Sequence, residues 1–481
     1  MPKHPFLLLL AGLLFLQSLP AQNPSPAAPS SPVLEEYIRT GLDSNLALHQ
    51  RNFDLQKAQL DLRRAKSQFF PQATFSSQYT LADGGRTQSV PVGDLLNGVY
   101  STLNQLTGSN KFPQVANQSI QFLPDNFQDT KMEVSLPILN TDLLHNKEVT
   151  AERINGSAAD RDIYSRDLVR TIRQAYYQYL QTGKAIEIYG IALQLAKENR
   201  RVSEKFVENH MATREIVLRA QAQVSQVESS LIETRNNLRN AAAWFNFLLN
   251  RGLETPVSTD SLLMTDPFSD SSITSGPNAP SASPTATPAI TAAAPFSPNR
   301  EEFNRLNSWQ RILESDLKWD RAYLIPKLNA FYDVGFQGFG VHFNSSQFYQ
   351  LAGVQLIWPL FKANDNKYKI RQAIIDIRSV HDQYQQLTEQ LNLEQETAVN
   401  NYYSALEALH ALADEVGSSL ETYRLAERRF DEGQALQIEL IDSRNQMTNA
   451  EIRYSLGRLA ILNRAADLER VTASYPINNR K

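Results

Sequence analysis

The sequence predicts a mixed but mainly α fold, in which long coiled-coil helical hairpins carry four β-strands and the whole pattern occurs twice. Three observations predict it. From Asp142 to Glu208 there are 67 residues without a proline, enough for a helix of about 100 Å at 1.5 Å per residue. Just before it, Lys131–Ile138 alternates, with Met132, Val134, Leu136 and Ile138 on one side and Lys131, Glu133 and Ser135 on the other. This is the period-two signature of a strand with one apolar face. The same strand-then-helix order returns after residue 298, and a repeated order of like elements is a strong architectural signal.

In chain order, Met1–His4, the apolar run Phe6–Leu16 and Gln17–Ala21 match the three regions of a secretory signal peptide, 1–21. The apolar core is only 11 residues long, and nothing later approaches the ~20 residues of a spanning helix. Leu34–Ser67 follows a Pro/Ser/Ala-rich leader and reads as one helix, with Leu55, Leu62 and the i, i+4 ladder Gln56, Leu60, Arg64. It ends at Phe69-Phe70-Pro71. The next stretch alternates again: Ala73, Phe75 and Tyr79 share a face, Ser77 being the exception, while Gln72, Thr74, Ser76, Gln78 and Thr80 point the other way. Ala82–Gln128, rich in Gly, Asn, Gln and Ser, reads as a long loop.

After the long helix, His210-Met211-Ala212 makes a turn and Thr213 is placed to cap a second helix. There Ile216, Ala220, Val224, Val227, Leu231, Leu238, Phe245 and Leu248 recur at coiled-coil spacing. This completes a first repeat at 22–250. Thr255–Pro298 then holds eight prolines among Ser, Thr and Ala, a composition that disfavours a packed core, so 251–298 reads as a linker. The second repeat, 299–470, precedes a tail at 471–481. In it Glu301–Ala322 parallels Leu34–Ser67, Pro326 answers Pro71, Pro359 answers Pro137, Tyr402-Tyr403 answers Tyr176-Tyr177, and Phe430-x-x-Gly433 answers Phe206-x-x-Asn209. Leu440, Met447, Tyr454, Ile461 and Leu468 stand seven apart, a 3.5-residue period that supercoils to the left.

Composition narrows the function. The net charge of −4, with no basic run longer than two residues, leaves phosphate-backbone binding little to rest on, so no nucleic-acid partner is expected. There is no cysteine, hence neither a disulfide nor an acceptor for an N-terminal lipid, and attachment to outer-membrane lipid would come through strands. The seven histidines show no ligand spacing, and Asp83-Gly84-Gly85 lacks the lysine of a phosphate cradle; no catalytic, cofactor or metal site is expected. Four strands cannot close a barrel alone, and an open edge is forbidden in lipid, so the chain must oligomerise.

The entries Phe-Phe-Pro71 and Leu-Ile-Pro326 to strands, the entries Leu-Pro-Ile138 and Trp-Pro-Leu360 to long helices, and Arg429-Phe-Asp-Glu-Gly433 followed by Glu439-Leu-Ile-Asp442 resemble the TolC-like outer-membrane efflux family over nearly all of the mature chain. The resemblance implies a homotrimer with a 12-stranded transmembrane β-barrel and a trimeric α-barrel in the periplasm of a Gram-negative-type bacterium. It implies work as a non-enzymatic efflux duct with a periplasmic adaptor and an inner-membrane transporter, or as the duct of type I protein secretion. A soluble periplasmic coiled-coil scaffold is the alternative of another class; it leaves the alternating strands without purpose.

Site expectations follow. Glu439 and Asp442 share a helix face at i, i+3, and by resemblance form the acidic periplasmic constriction; the family's tyrosine and arginine nearby are Phe430 and Ala435 here. The resting mouth is then held by packing through Ile216, Leu440 and Ile441. The helix tips Asn209, His210, Met211, Ala212 and Thr213, and Gly433, Gln434, Ala435 and Leu436, would dock the adaptor, with Asn209 and Gly433 suited to left-handed backbone. Trp358 would anchor at the membrane interface, and Gln72, Thr74, Ser76, Asn329 and Asp333 would line the lumen.

Overall fold

A computed structural model describes residues 31–122, 125–260 and 300–477; the expected signal peptide and the linker beyond Asp260 lie outside the described residues. The helices are α1 (Pro32–Ser44), α2 (Leu46–Ser67), α3 (Val92–Thr107), α4 (Thr141–Glu208), α5 (Arg214–Leu248), α6 (Glu301–Arg321), α7 (Asp365–Asp431) and α8 (Gln437–Thr472). The strands are β1 (Gln72–Thr80), β2 (Thr87–Val90), β3 (Gln118–Gln121), β4 (Phe127–Leu139), β5 (Lys327–Phe339) and β6 (Phe348–Ile357). At 68 and 67 residues, α4 and α7 are each about 100 Å long. Among the described residues no helix is long and apolar enough to cross a membrane.

The chain divides into two compact units, and each draws on both sequence repeats. One takes its described residues from Met1–Gln50, Asp162–Arg300 and Gln386–Lys481; the other is Arg51–Arg161 with Glu301–Gln385.

In the second unit, β1, β4, β5 and β6 form one antiparallel sheet in that order. Directly paired residues share a face, so the register sorts the side chains. Ala73 meets Val134 and Phe75 meets Met132; Val134 meets Tyr332 and Met132 meets Val334. That face is apolar, with Phe75, Met132 and Tyr332 exposed and Val134 and Val334 half-buried, and its exception, Ser77, bonds across the strands to Thr130 Oγ1 at 2.8 Å. The opposite face carries Thr74, Glu133 and Asp333 in register. Gly353 lies opposite Phe331 on this polar face, where a Cβ would sit 2.5 Å from the Phe331 ring. Glycine is needed there for the aromatic ring to fold over the strand.

In the first unit the core gathers Leu34, Ile38, Ile172, Tyr176, Tyr177, Leu180 and Phe245, all fully buried or nearly so. The α5 seam residues Ala220, Val224, Val227, Leu231, Phe245 and Leu248 are buried as their spacing requires. Tyr402 and Tyr403 are only half-buried, so the repeated tyrosine pair does not make a repeated core.

Two segments depart from the sequence expectation. Leu34–Ser67 is broken at Asn45, whose backbone is extended (ψ 122°). Its Oδ1 accepts from the Ala47 and Leu48 amides, and its Nδ2 donates to the Leu248 carbonyl at 2.9 Å, so a side chain rather than a Gly or Pro interrupts the helix. Ala82–Gln128 is not a plain loop: it holds the β2–β3 ladder and the 16-residue α3. Val92, Leu95, Leu96, Val99, Leu103 and Leu106 recur at helical spacing, and Gly108 ends the helix at φ 61°, signals that the surrounding polar composition outweighs.

Candidate functional site

The first candidate surface is the pair of helix tips. At the α4–α5 turn the Phe206 carbonyl accepts from the Met211 amide at 2.8 Å, and the Val207 carbonyl from the His210 amide at 3.0 Å. At the α7–α8 turn the Arg429 carbonyl accepts from the Gln434 amide at 2.7 Å, and the Phe430 carbonyl from the Gly433 amide at 3.0 Å. Both are Schellman closures, which satisfy the last carbonyls of the long helices. The left-handed residues are His210 (φ 62°) and Gly433 (φ 71°). Asn209 is therefore not the left-handed residue; its Nδ2 donates to the Lys205 carbonyl at 2.9 Å. The geometric correspondence pairs His210 with Gly433 and Thr213 with Leu436, whose backbones precede α5 and α8 in the same extended conformation. Thr213 occupies the cap position without a side-chain cap bond.

Around the tips, the Phe206 and Phe430 rings meet edge to face at 5.8 Å. Gln437 donates to Asn199 Oδ1 at 3.2 Å and to Ser203. Gln223 and Asn445 exchange amide bonds at 2.6 and 3.3 Å. A cavity of about 240 Å³ lies between these contacts, lined by Tyr423, Phe430, Leu440, Ile441 and Arg444 among others. Leu440 and Ile441 line this cavity, and amide pairs that no periodicity announces share the seam with them.

Glu439 and Asp442 are both exposed on one side of α8. Glu439 Oε2 stands 3.7 Å from Arg429 Nη1, each side chain about half exposed, and Asp442 accepts from Gln446 Nε2 at 2.9 Å. An exposed pair of this kind contributes roughly 0–1 kcal/mol, so Arg429 tempers the charge of Glu439 without locking it.

The second candidate surface is the four-stranded sheet. On its polar face Lys131 Nζ lies 2.9 Å from Asp333 and 3.3 Å from Glu133, and Gln72, Thr74, Ser76, Asn329 and Asp333 all fall on that face by register. Trp358 follows β6 with its ring exposed and its Nε1 donating to the Leu324 carbonyl at 2.9 Å. Trp319, which sequence reasoning missed, donates to Asp142 at 3.0 Å and stacks on His145 with ring centroids 5.0 Å apart. Burial alone would raise the Asp142 carboxyl, but the hydrogen bonds from Lys327 and Trp319 hold it below its ordinary range.

Residues 311–474 match the model of the outer membrane efflux protein family. The match covers the second repeat, about a third of the chain. Solved structures that resemble it include the outer-membrane channel OprN (17% identity, TM-score 0.68, covering 92% of this chain and 91% of that one). They also include VceC of Vibrio cholerae (13%, 0.65, 91% and 95%) and the outer membrane channel CmeC of Campylobacter jejuni (13%, 0.66, 92% and 85%). At such identity the likeness speaks for the fold. No curated protein sequence matches the chain. The matched family is one of outer membrane efflux proteins, and the solved structures that share the fold are outer-membrane channels and proteins.

Proposed function

We propose that this protein is the exit duct of a tripartite efflux system, a homotrimer that passively conducts small molecules delivered by an inner-membrane transporter and a periplasmic adaptor. The observation that carries this reading is the sheet: β1 and β6 are unpaired edges of a four-stranded sheet with one apolar face, and in lipid those edges must be paired. Three copies supply twelve strands, within the range of closed outer-membrane barrels. The apolar face of Phe75, Met132, Val134 and Val334 then meets lipid, and the face of Thr74, Lys131, Glu133 and Asp333 lines the lumen. Trp358, exposed just past β6, suits the membrane interface.

In this reading the tips at 209–213 and 433–436 dock the adaptor. The matched Schellman turns support it, since they offer two pseudo-equivalent surfaces per chain, six in the trimer. Glu439 and Asp442 form the periplasmic constriction, supported by their shared exposed face. Deletion of the gene tests the transport claim: raised sensitivity to dyes, detergents and antibiotics is the expected result. Unchanged sensitivity together with a protein missing from the medium would instead make it a secretion duct. Fractionation tests the membrane claim, and recovery from the periplasm without detergent would refute it.

A further inference from the structure

The segment between β1 and β4 carries a prebuilt amphipathic helix whose apolar side is uncovered. Asn97 and Asn104, seven apart on one side of α3, each exchange two hydrogen bonds with the strap that follows it. Asn97 pairs with Val115 at 2.8 and 2.9 Å, and Asn104 with Phe112 at 2.8 and 3.1 Å. Asn117 adds a third clamp to the Asp94 amide and carboxylate. At 100° per residue the stripe of Leu95, Val99 and Leu106 falls on the side away from these asparagines. The three are 71%, 55% and 79% exposed.

A second uncovered apolar patch lies at the same end of the sheet. Thr80 pairs with Phe127, and Phe127 with Phe339, so the β1–β4 segment and the β5–β6 turn emerge together. That turn exposes Phe339 (67%), Val341 (59%) and Phe343 (61%). Within one chain the bases of the two segments touch at the β4–β5 boundary, where the Gly340 amide donates to the Asn126 carbonyl and the Phe127 and Phe339 rings meet, yet the stripe and the turn both stay exposed. When β6 of one copy pairs with β1 of the next, a second turn arrives on the free β1 flank of the α3 segment.

We propose that the α3 stripe of each copy seats on the β5–β6 turn of the adjacent copy, forming a head-to-tail apolar clasp around the outer mouth of the ring. The inference rests on the closed-ring reading of the sheet. Charge favours this occupant over a lipid surface: α3 carries a single charged residue, Asp94, and the turn 340–347 none apart from His342. A helix lying on a membrane typically presents Lys and Arg on its polar side, whereas α3 has neither. Identical neutral patches meet around a ring without like-charge repulsion, and a head-to-tail contact that closes is satisfied in every copy.

The chain has no cysteine, so introduced pairs report cleanly. The full-length variant Val99→Cys with Phe343→Cys, and independently Leu95→Cys with Val341→Cys, is treated in outer membranes with a short bifunctional maleimide. The expected result is a covalent ladder ending at the full ring, with each single variant giving no ladder. Native mass of the untreated wild type separates the two levels of inference. An intact ring with no ladder from either pair overturns the clasp, as does a spin label at Val99 relaxed by lipid-borne probes, which would place the stripe on the bilayer. A wild type without any ring removes the assembly reading and the clasp with it.

Discussion

Charge selectivity at the proposed periplasmic mouth offers the sharpest test, because the structure supplies both signs of charge. A monovalent cation about 10 Å from a carboxylate in water gains about 0.4 kcal/mol. Screening at 0.1 M salt, with its Debye length of ~10 Å, reduces this to about 0.15 kcal/mol. Glu439 and Asp442 contribute six such groups in a trimer, so Glu439→Gln with Asp442→Asn removes about 0.9 kcal/mol of cation preference, roughly a fourfold fall since 1.4 kcal/mol is tenfold. Arg429 sits 3.7 Å from Glu439 and opposes the same ring. Arg429→Gln is therefore expected to raise cation preference about twofold, half as many charges being removed. Reversal potentials across planar bilayers in a salt gradient measure both, and the two variants must move in opposite directions. If the double variant leaves the reversal potential unchanged, or Arg429→Gln lowers cation preference, these groups do not face the conduction path and the assignment fails.

Other outcomes follow from single contacts. Burial pushes the Tyr176 phenol up to about 12; its oxygen donates to the Ser258 carbonyl at 3.1 Å and accepts from the Asp260 amide at 3.0 Å. Tyr176→Phe should then cost roughly 1–3 kcal/mol and speed proteolytic nicking after Val257, measured by limited digestion against wild type. At the tips, Gly433→Ala is expected to lose about 1–2 kcal/mol through its positive φ while meeting no clash, since nothing lies near its missing Cβ. His210→Gly at the matched position should be neutral or stabilising, and hydrogen exchange of the neighbouring amides distinguishes them. Because Asp142 is held below its ordinary carboxyl range, its contribution is present above that range and lost as pH falls through it. The melting temperature of Asp142→Asn should accordingly fall less than that of wild type between pH 7 and pH 3.

What the sequence by itself determined is whatever local periodicity and punctuation encode. The alternation in Gln72–Thr80 and Lys131–Pro137 assigned faces that the register reproduces, since a strand's side chains can only alternate, while a register shift between Pro137 and Leu139 leaves Ile138 unpaired in the β4–β5 ladder. The proline-free stretches ran the full lengths of α4 and α7, and the tips fell where the helices end. Tertiary structure decided what depends on partners distant in sequence. Asn45 breaks a helix because Leu248 offers a carbonyl 203 residues away. Tyr176 is fully buried against the Tyr37 and Phe245 rings, partners distant in sequence, whereas its repeat mate Tyr402 is half-buried. Gly433 was legible as the left-handed residue because glycine pays no Cβ penalty there. His210 was not, because its conformation is imposed by closing the Phe206 and Val207 carbonyls, a demand of geometry that falls on whichever residue stands at that place.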